Sequence, residues 1–243
     1  MITIFKKEFF GFFNSLTAYV VVIVFLLINS LFLWILPGNL NMLDYGYADL
    51  DGLFGIAPYT FMFLIPALTM RFFSEEHRSG TIELLLTKPI SDLNIILAKY
   101  LAALALVIFS IIPTLIYFYS VYQLGFPKGN LDFGAFWGSF TGLILLGATF
   151  VSIGIFSSVL TNNQILSFIA AITLSAFFYL GLDYISQAES FNNLSLLIQN
   201  LGISAHYTSI SRGVLDTRDL IYFLSIISLF IYFTKILLGR RKW

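Results

Sequence analysis

The stretch FGAFWGSFTGLILLGATFVSIGIFSSVLTNNQILSFIAAITLSAFFYLGL, residues 133–182, decides the fold. From the residue after Asp132 to the residue before Asp183, 50 consecutive positions carry no charge. A helix rises about 1.5 Å per residue and the hydrocarbon core of a bilayer is about 30 Å thick, so about 20 apolar residues cross it once. The stretch is too long for one crossing. Thr161-Asn162-Asn163-Gln164 is its polar interruption and divides it into two spans, about Phe133 to Leu160 and about Ile165 to Tyr184.

The rest of the chain follows the same rule. Of its 243 residues 58% are hydrophobic, 18% aromatic and 11% charged, with a mean hydropathy of +0.90. A soluble domain needs about a quarter of its residues charged to cover its surface. A soluble enzyme, a nucleic-acid binder and a disordered chain are thereby excluded. Four more segments are long and apolar enough to span: Thr17 to Leu36, about Gly55 to Phe72, about Ile95 to Tyr122, and Leu220 to Leu238. The first is longer than the apolar core of a signal peptide, and no small-residue cleavage pattern follows it, so it is expected to be retained. The sequence therefore predicts an all-α polytopic membrane protein with six transmembrane helices.

Details at the helix edges sharpen this. Phe5, Phe9, Phe12 and Leu16 recur at helical spacing before the first span, which fits a short amphipathic helix along the membrane surface over 1–16, or an extension of that span. Gly134, Gly138 and Gly142 repeat every fourth residue, with Gly147 and Gly154 beyond. Such small residues allow close helix approach, inside one chain or between two copies. Pro58, Pro66 and Pro113 predict kinks whose freed carbonyls need other partners.

Orientation follows from the basic residues. Ten of the 13 Lys and Arg, from Lys6 and Lys7 to Arg241 and Lys242, fall on the side of both termini. Only Lys128, Arg212 and Arg218 fall on the other, so both termini are expected in the cytoplasm. No span carries an ionisable residue near its middle; Arg71, Lys99, Asp183 and Lys235 lie near helix ends, where a side chain can snorkel. A carrier driven by an ion gradient needs an intramembrane relay, which disfavours that class. With no cysteine and two distant histidines, His77 and His206, a metal centre is not expected. No catalytic constellation stands out either, so the chain is expected not to be an enzyme.

The main polar insertion on the cytoplasmic side runs from Ser74 to Asp92. Glu75 to Arg78 can prolong the second helix, Gly80 permits a break, and an amphipathic piece from Thr81 to Thr87 ends before Pro89. Ile82, Leu84, Leu85 and Leu86 call for an apolar surface, either the membrane interface or a groove on a partner. Read alone, the charges are also those of an ordinary solvated helix end.

This loop resembles that between spans two and three of ATP-binding-cassette (ABC) type-2 transporter permeases, through Glu75, Glu76, Arg78, Gly80, Thr81, Glu83, Leu84, Leu85 and Pro89. The resemblance implies a single permease domain over 1–243, with an N-terminal elbow helix (1–16), an ATPase-coupling region (73–92) and extracellular re-entrant helices (185–219). The nine loop residues would be the coupling surface for a cytoplasmic ABC ATPase subunit. Together with Ser211-Arg212-Gly213-Val214-Leu215-Asp216-Thr217-Arg218-Asp219-Leu220-Ile221-Tyr222, the loop looks most like the gliding-motility-associated permeases of bacteria.

The chain has no G-x-x-x-x-G-K-[ST] segment, so it cannot cradle ATP phosphates. No cofactor is expected on it, and the resemblance implies that ATP and magnesium bind the ATPase chain. Other expected partners are a second permease copy or a different membrane subunit, and the lipid bilayer; nucleic acid is not one. The resemblance implies a multi-pass exporter subunit of the bacterial plasma (inner) membrane. The competing reading is a membrane scaffold that recruits an ATPase to a motility or secretion machine without transporting anything.

The connection over 185–219 is too long for a structureless loop. Phe191, Leu194, Leu197, Ile198 and Leu201 have helical spacing over too few residues to span, so a helix hairpin buried among the other spans is expected. Asp216 is a candidate N-cap for the last helix, and Asp219 suits the positive end of its dipole.

Overall fold

In a computed structural model, residues 1–44, 46–81, 90–188 and 194–240 are described. Every regular element among them is a helix. A short helix α1 (Ile2–Asn14) precedes α2 (Leu16–Ser30), which continues through a wider π-helical turn, Leu31–Ile35. Next come α3 (Asp51–Thr69) and its continuation α4 (Ser74–Arg78). Helix α5 (Asp92–Ile111) leads through a 3-10 turn to α6 (Leu115–Leu124). Helix α7 (Phe133–Leu160) is followed by α8 (Gln164–Ala176), whose π-helical end Phe177–Gly181 runs into α9 (Leu182–Ser186). Two short helices, α10 (Ser195–Leu201) and α11 (Ile203–Ile210), precede α12 (Thr217–Arg240).

Six of these stretches are long and apolar enough to cross a bilayer: Leu16–Ile35, Asp51–Arg78, Asp92–Leu124, Phe133–Leu160, Gln164–Ser186 and Thr217–Gly239. They coincide with the six spans read from the sequence. Their starts are set by local chemistry. Ser15, Ser91, Asp132 and Asn163 each take an extended backbone and accept a hydrogen bond from an amide in the first turn that follows, as N-caps do. Asp216 does the same for α12 through the Arg218 amide, 2.9 Å away.

Helix α7 is the centre of the bundle, with 78% of the residues in its apolar window buried and with α3, α5, α8, α11 and α12 packed around it. Its glycines are the points of closest approach. A Cβ on Gly138 would lie 2.7 Å from Gly213 Cα, and one on Gly154 would lie 2.1 Å from Thr69 Oγ1. Gly142 and Gly147 face Ile210 and Val107 in the same way, so the glycine repeat packs this chain against itself. Helices α8 and α12, each 22% buried over their apolar windows, form the outer ring with the first span, 28% buried.

Two of the prolines have visible consequences. Pro58 lacks the N–H that would bond the Phe54 carbonyl, and the Tyr207 hydroxyl on α11 donates to that carbonyl at 2.7 Å. Pro113 sits in the 3-10 turn that joins α5 to α6. The long third span is thus two helices that meet at a proline.

Helix α1 is separate from the first span: the chain extends at Ser15 before α2 begins. Its inward face is Ile4, Phe5, Glu8, Phe9, Phe12 and Phe13, whereas Leu16 is 78% exposed. The expected aromatic stripe is present, but Leu16 belongs to the next helix and Glu8 replaces it among the phenylalanines. Phe12 meets Phe72 edge-on at 5.6 Å, and Phe13 meets Phe109 at 5.4 Å. One face of α1 therefore rests on protein.

Candidate functional site

A charged junction at the N-terminal end of the bundle is assembled from α1, α4 and α5. Beyond Thr69 the second span bends through Met70–Phe73 and resumes as α4, which Ser79 caps. Gly80 follows with φ +68°, the left-handed conformation that closes a helix and that other residues adopt only with strain. The Ser79 hydroxyl lies 2.8 Å from the Glu75 carbonyl and 2.9 Å from Thr81 Oγ1, which secures the exit from the helix.

Behind α4 lies the strongest polar feature of the described residues. Lys99, from the second turn of α5, is 1% exposed and makes three hydrogen bonds. Its ammonium donates to Glu76 Oε1 at 2.8 Å, to Glu8 Oε1 at 3.1 Å and to the Phe72 carbonyl at 2.9 Å. Those are the three donors that an ammonium has. The Phe72 and Phe73 rings, at 5.4 and 5.1 Å, complete the cage. One buried cation thus ties the N-terminal helix to α4, the helix that leads to the expected coupling residues. Glu76 Oε2 is buried without a hydrogen-bond partner among the described residues.

The expected coupling residues divide accordingly. Glu75, Arg78, Gly80 and Thr81 are exposed on and beyond α4. Glu76 points inward to Lys99, where it joins elements of this chain. Glu83, Leu84, Leu85 and Pro89 lie outside the described residues. Arg78 also faces the Thr161–Gln164 turn across a cavity of about 730 Å³.

Lys99 corrects a reading. Its position near a helix end pointed to snorkelling, yet it is buried. The signal lay in its neighbours: Ile95, Ile96, Ala98, Ala102, Ala103 and Leu106 form the inward face of α5, and Lys99 shares it. Such a position requires counter-charges, which α1 and α4 supply.

A second polar cluster closes the opposite end. His206 on α11 has Nδ1 2.6 Å from Asp219 Oδ1 and Nε2 2.9 Å from the Asn200 carbonyl, and its ring stacks on Tyr222 at 3.7 Å. The Tyr222 hydroxyl donates to the Leu201 carbonyl at 2.6 Å, and Ser139 Oγ donates to the Ser211 carbonyl at 2.7 Å. Asp219 is therefore a partner of a histidine 13 residues away as well as a first-turn acid. Where a buried hairpin was expected stand two short helices, α10 and α11, separated at Gly202; α11 has the buried residues Ile203, Tyr207 and Ile210, and α10 has none. Helix α10 keeps Leu196, Leu197 and Leu201 at least 62% exposed. Phe191 lies outside the described residues. Between α3, the end of α8 and α11 is a cavity of about 520 Å³, with Tyr59, Tyr179 and Tyr184 beside Asp51, Asp183 and Arg212.

Among the described residues no group of three or more His, Cys, Asp or Glu is arranged to hold a metal. The first span also holds a polar site with no signal in the local sequence: Ser30 Oγ lies 2.5 Å from Tyr117 OH, beside a fully buried Asn29 whose Oδ1 has no hydrogen-bond partner among the described residues.

Six helices long and apolar enough to cross a membrane, around a small-residue core, with a charged junction at one end and two short helices at the other, define a polytopic membrane protein of the transporter type. Residues 2–241 match the profile of the ABC-2 family transporter proteins, and the chain belongs to that family. No individual curated protein matches the chain. The family's members are membrane subunits of transporters, generally without catalytic activity of their own, and usually work with an ABC ATPase.

Proposed function

We propose that this protein is the transmembrane permease subunit of an ATP-driven ABC exporter, with hydrolysis on a separate ATPase subunit. The observation that carries this reading is the Lys99 node. Glu76, six residues before Ile82, is linked through a buried cation to α1 and α5. A displacement imposed on that loop by a docked ATPase reaches the third span and the N-terminal helix as one unit. Glu75, Arg78, Gly80 and Thr81, together with Glu83, Leu84, Leu85 and Pro89, form the docking surface in this reading.

Two permease subunits, identical or different, line one pathway, with the loop and both termini in the cytoplasm of a bacterial cell and the bilayer its plasma (inner) membrane. The tyrosine-lined cavity beside α11 is the outer mouth of that pathway. ATP and magnesium bind the ATPase and not this chain. The wording of the loop and of residues 211–222 favours a complex of the gliding-motility type.

The test replaces Glu83 with Ala, or Gly80 with Val, and measures ATPase co-purification together with hydrolysis in reconstituted vesicles. Loss of either supports the reading. Unchanged binding and hydrolysis in both variants exclude the loop as the coupling surface. ATPase recruitment with no ATP-dependent transport identifies a scaffold instead.

A further inference from the structure

A cavity of about 320 Å³ opens at the foot of α1, between it, the start of α2 and the end of α3. Its walls differ in chemistry. Phe12, Leu68 and Phe72 are apolar, whereas Lys7, Arg71, Ser15 and Thr17 bring positive charge and hydroxyls. Of the carboxylates in its lining, Glu8 and Glu76 are held by Lys99, and Glu75 is exposed on the rim. Among the described residues neither Lys7 nor Arg71 has an ion-pair partner. Arg71 reaches only the Thr17 hydroxyl, at 3.5 Å. Two cations thus share a partly apolar crevice with no carboxylate bonded to either.

The surface beyond the crevice is apolar. From the base of α2, Leu16, Tyr19, Val20, Ile23 and Leu27 form a stripe, each between 51% and 78% exposed. That stripe runs along a membrane-crossing helix, away from the cations and toward the bilayer interior. A ligand matching both parts has an anionic head and long apolar tails. Basic side chains at a membrane surface attract anionic lipid heads with about a fivefold gain in binding for each cation.

We propose that this crevice binds the phosphate of an anionic phospholipid. Lys7 and Arg71 are its cationic partners, the Thr17 hydroxyl, which only accepts from Arg71, its uncharged donor, and the acyl chains follow the α2 stripe. A lipid seated there fills the angle between α1 and the first two spans and steadies the helix that supplies Glu8 to the Lys99 node. The site needs no ATPase, so its test is separate from that of the transport reading.

The full-length protein, purified and delipidated, is titrated by native mass spectrometry with three probes. Phosphatidylglycerol carries phosphate and tails, diacylglycerol only the tails, and glycerol 3-phosphate only the phosphate. Phosphatidylglycerol is expected to bind at least tenfold more tightly than either of the others. Lys7→Gln and Arg71→Gln are each expected to weaken it about fivefold. Gly11→Phe alters no charge and fills the crevice from the α1 wall, where a Cβ meets nothing within 4 Å, so it should also displace the lipid. Lys128→Gln, on the opposite face, should leave binding unchanged. Equal phosphatidylglycerol binding in Lys7→Gln, Arg71→Gln, Gly11→Phe and the unmodified chain overturns the site. Diacylglycerol binding as tightly overturns the role of the phosphate, and glycerol 3-phosphate binding as tightly assigns the crevice to soluble phosphate esters instead of lipid.

Discussion

Lys99 concentrates the energetics of the junction between α1, α4 and α5 in one side chain. A buried ammonium is tolerable only if its charge and its three protons are met, and Glu8, Glu76 and the Phe72 carbonyl meet them. Removing the cation leaves two carboxylates facing each other at the edge of a bilayer. Lys99→Met is expected to destabilise the protein by about 3 kcal/mol, read as a lower melting temperature in detergent. Adding Glu8→Gln and Glu76→Gln should recover part of that loss, because the uncompensated charges, more than the missing attraction, make the single substitution costly. A Lys99→Met protein as stable as the wild type would mean that the node is solvated. The hydroxyl of Tyr207 is a second case at this scale. Tyr207→Phe should cost about 1 kcal/mol by orphaning the Phe54 carbonyl, and less in a Pro58→Ala background, where residue 58 regains an N–H for it. Equal costs in both backgrounds would show that the hydroxyl serves another purpose.

Among the elements, α7 has least freedom. Its Gly154 touches Thr69 and its Gly138 touches the turn at Gly213, which has φ +85° and whose own Cβ would fall 2.3 Å from Ala135 Cα. Gly154→Val and Gly213→Ala should each lower the melting temperature by several degrees, whereas Gly55→Ala, with open space at its Cβ, should not. The same element shows how far sequence reaches. The uncharged run and its Thr-Asn-Asn-Gln break define α7 and α8 because lipid admits only one solution for such a run. The glycine repeat announced close packing, but not whether the second surface belonged to this chain, since spacing records what a helix can accept and not what it meets. Helix α10 escaped for a related reason: leucines at helical spacing describe an amphipathic helix equally well on a core or on an open surface. The pairing of His206 with Asp219, like that of Lys99 with Glu8 and Glu76, joins residues distant along the chain, and no local pattern encodes it.

At the scale of the molecule, equal numbers of acids and bases conceal two opposite faces. On the side of the termini ten Lys and Arg meet five carboxylates, and on the other side three meet eight. That asymmetry predicts both termini in the cytoplasm, and a sequence without cysteine makes the prediction simple to test. Single cysteines at Ser79 and Thr161 are expected to react with an impermeant maleimide only after the cell membrane is opened, and one at Lys128 in intact cells. The reverse pattern would invert the protein and place its coupling region outside. The central claim is that this chain transmits work from a separate ATPase through α4 and the Lys99 node. Its most direct test is the ATP hydrolysis rate of the complex in proteoliposomes, with wild-type chain and with Lys99→Met. The account predicts that both retain the ATPase and that only the wild type stimulates its turnover; equal stimulation by both, or no ATPase held by the wild type, would contradict it.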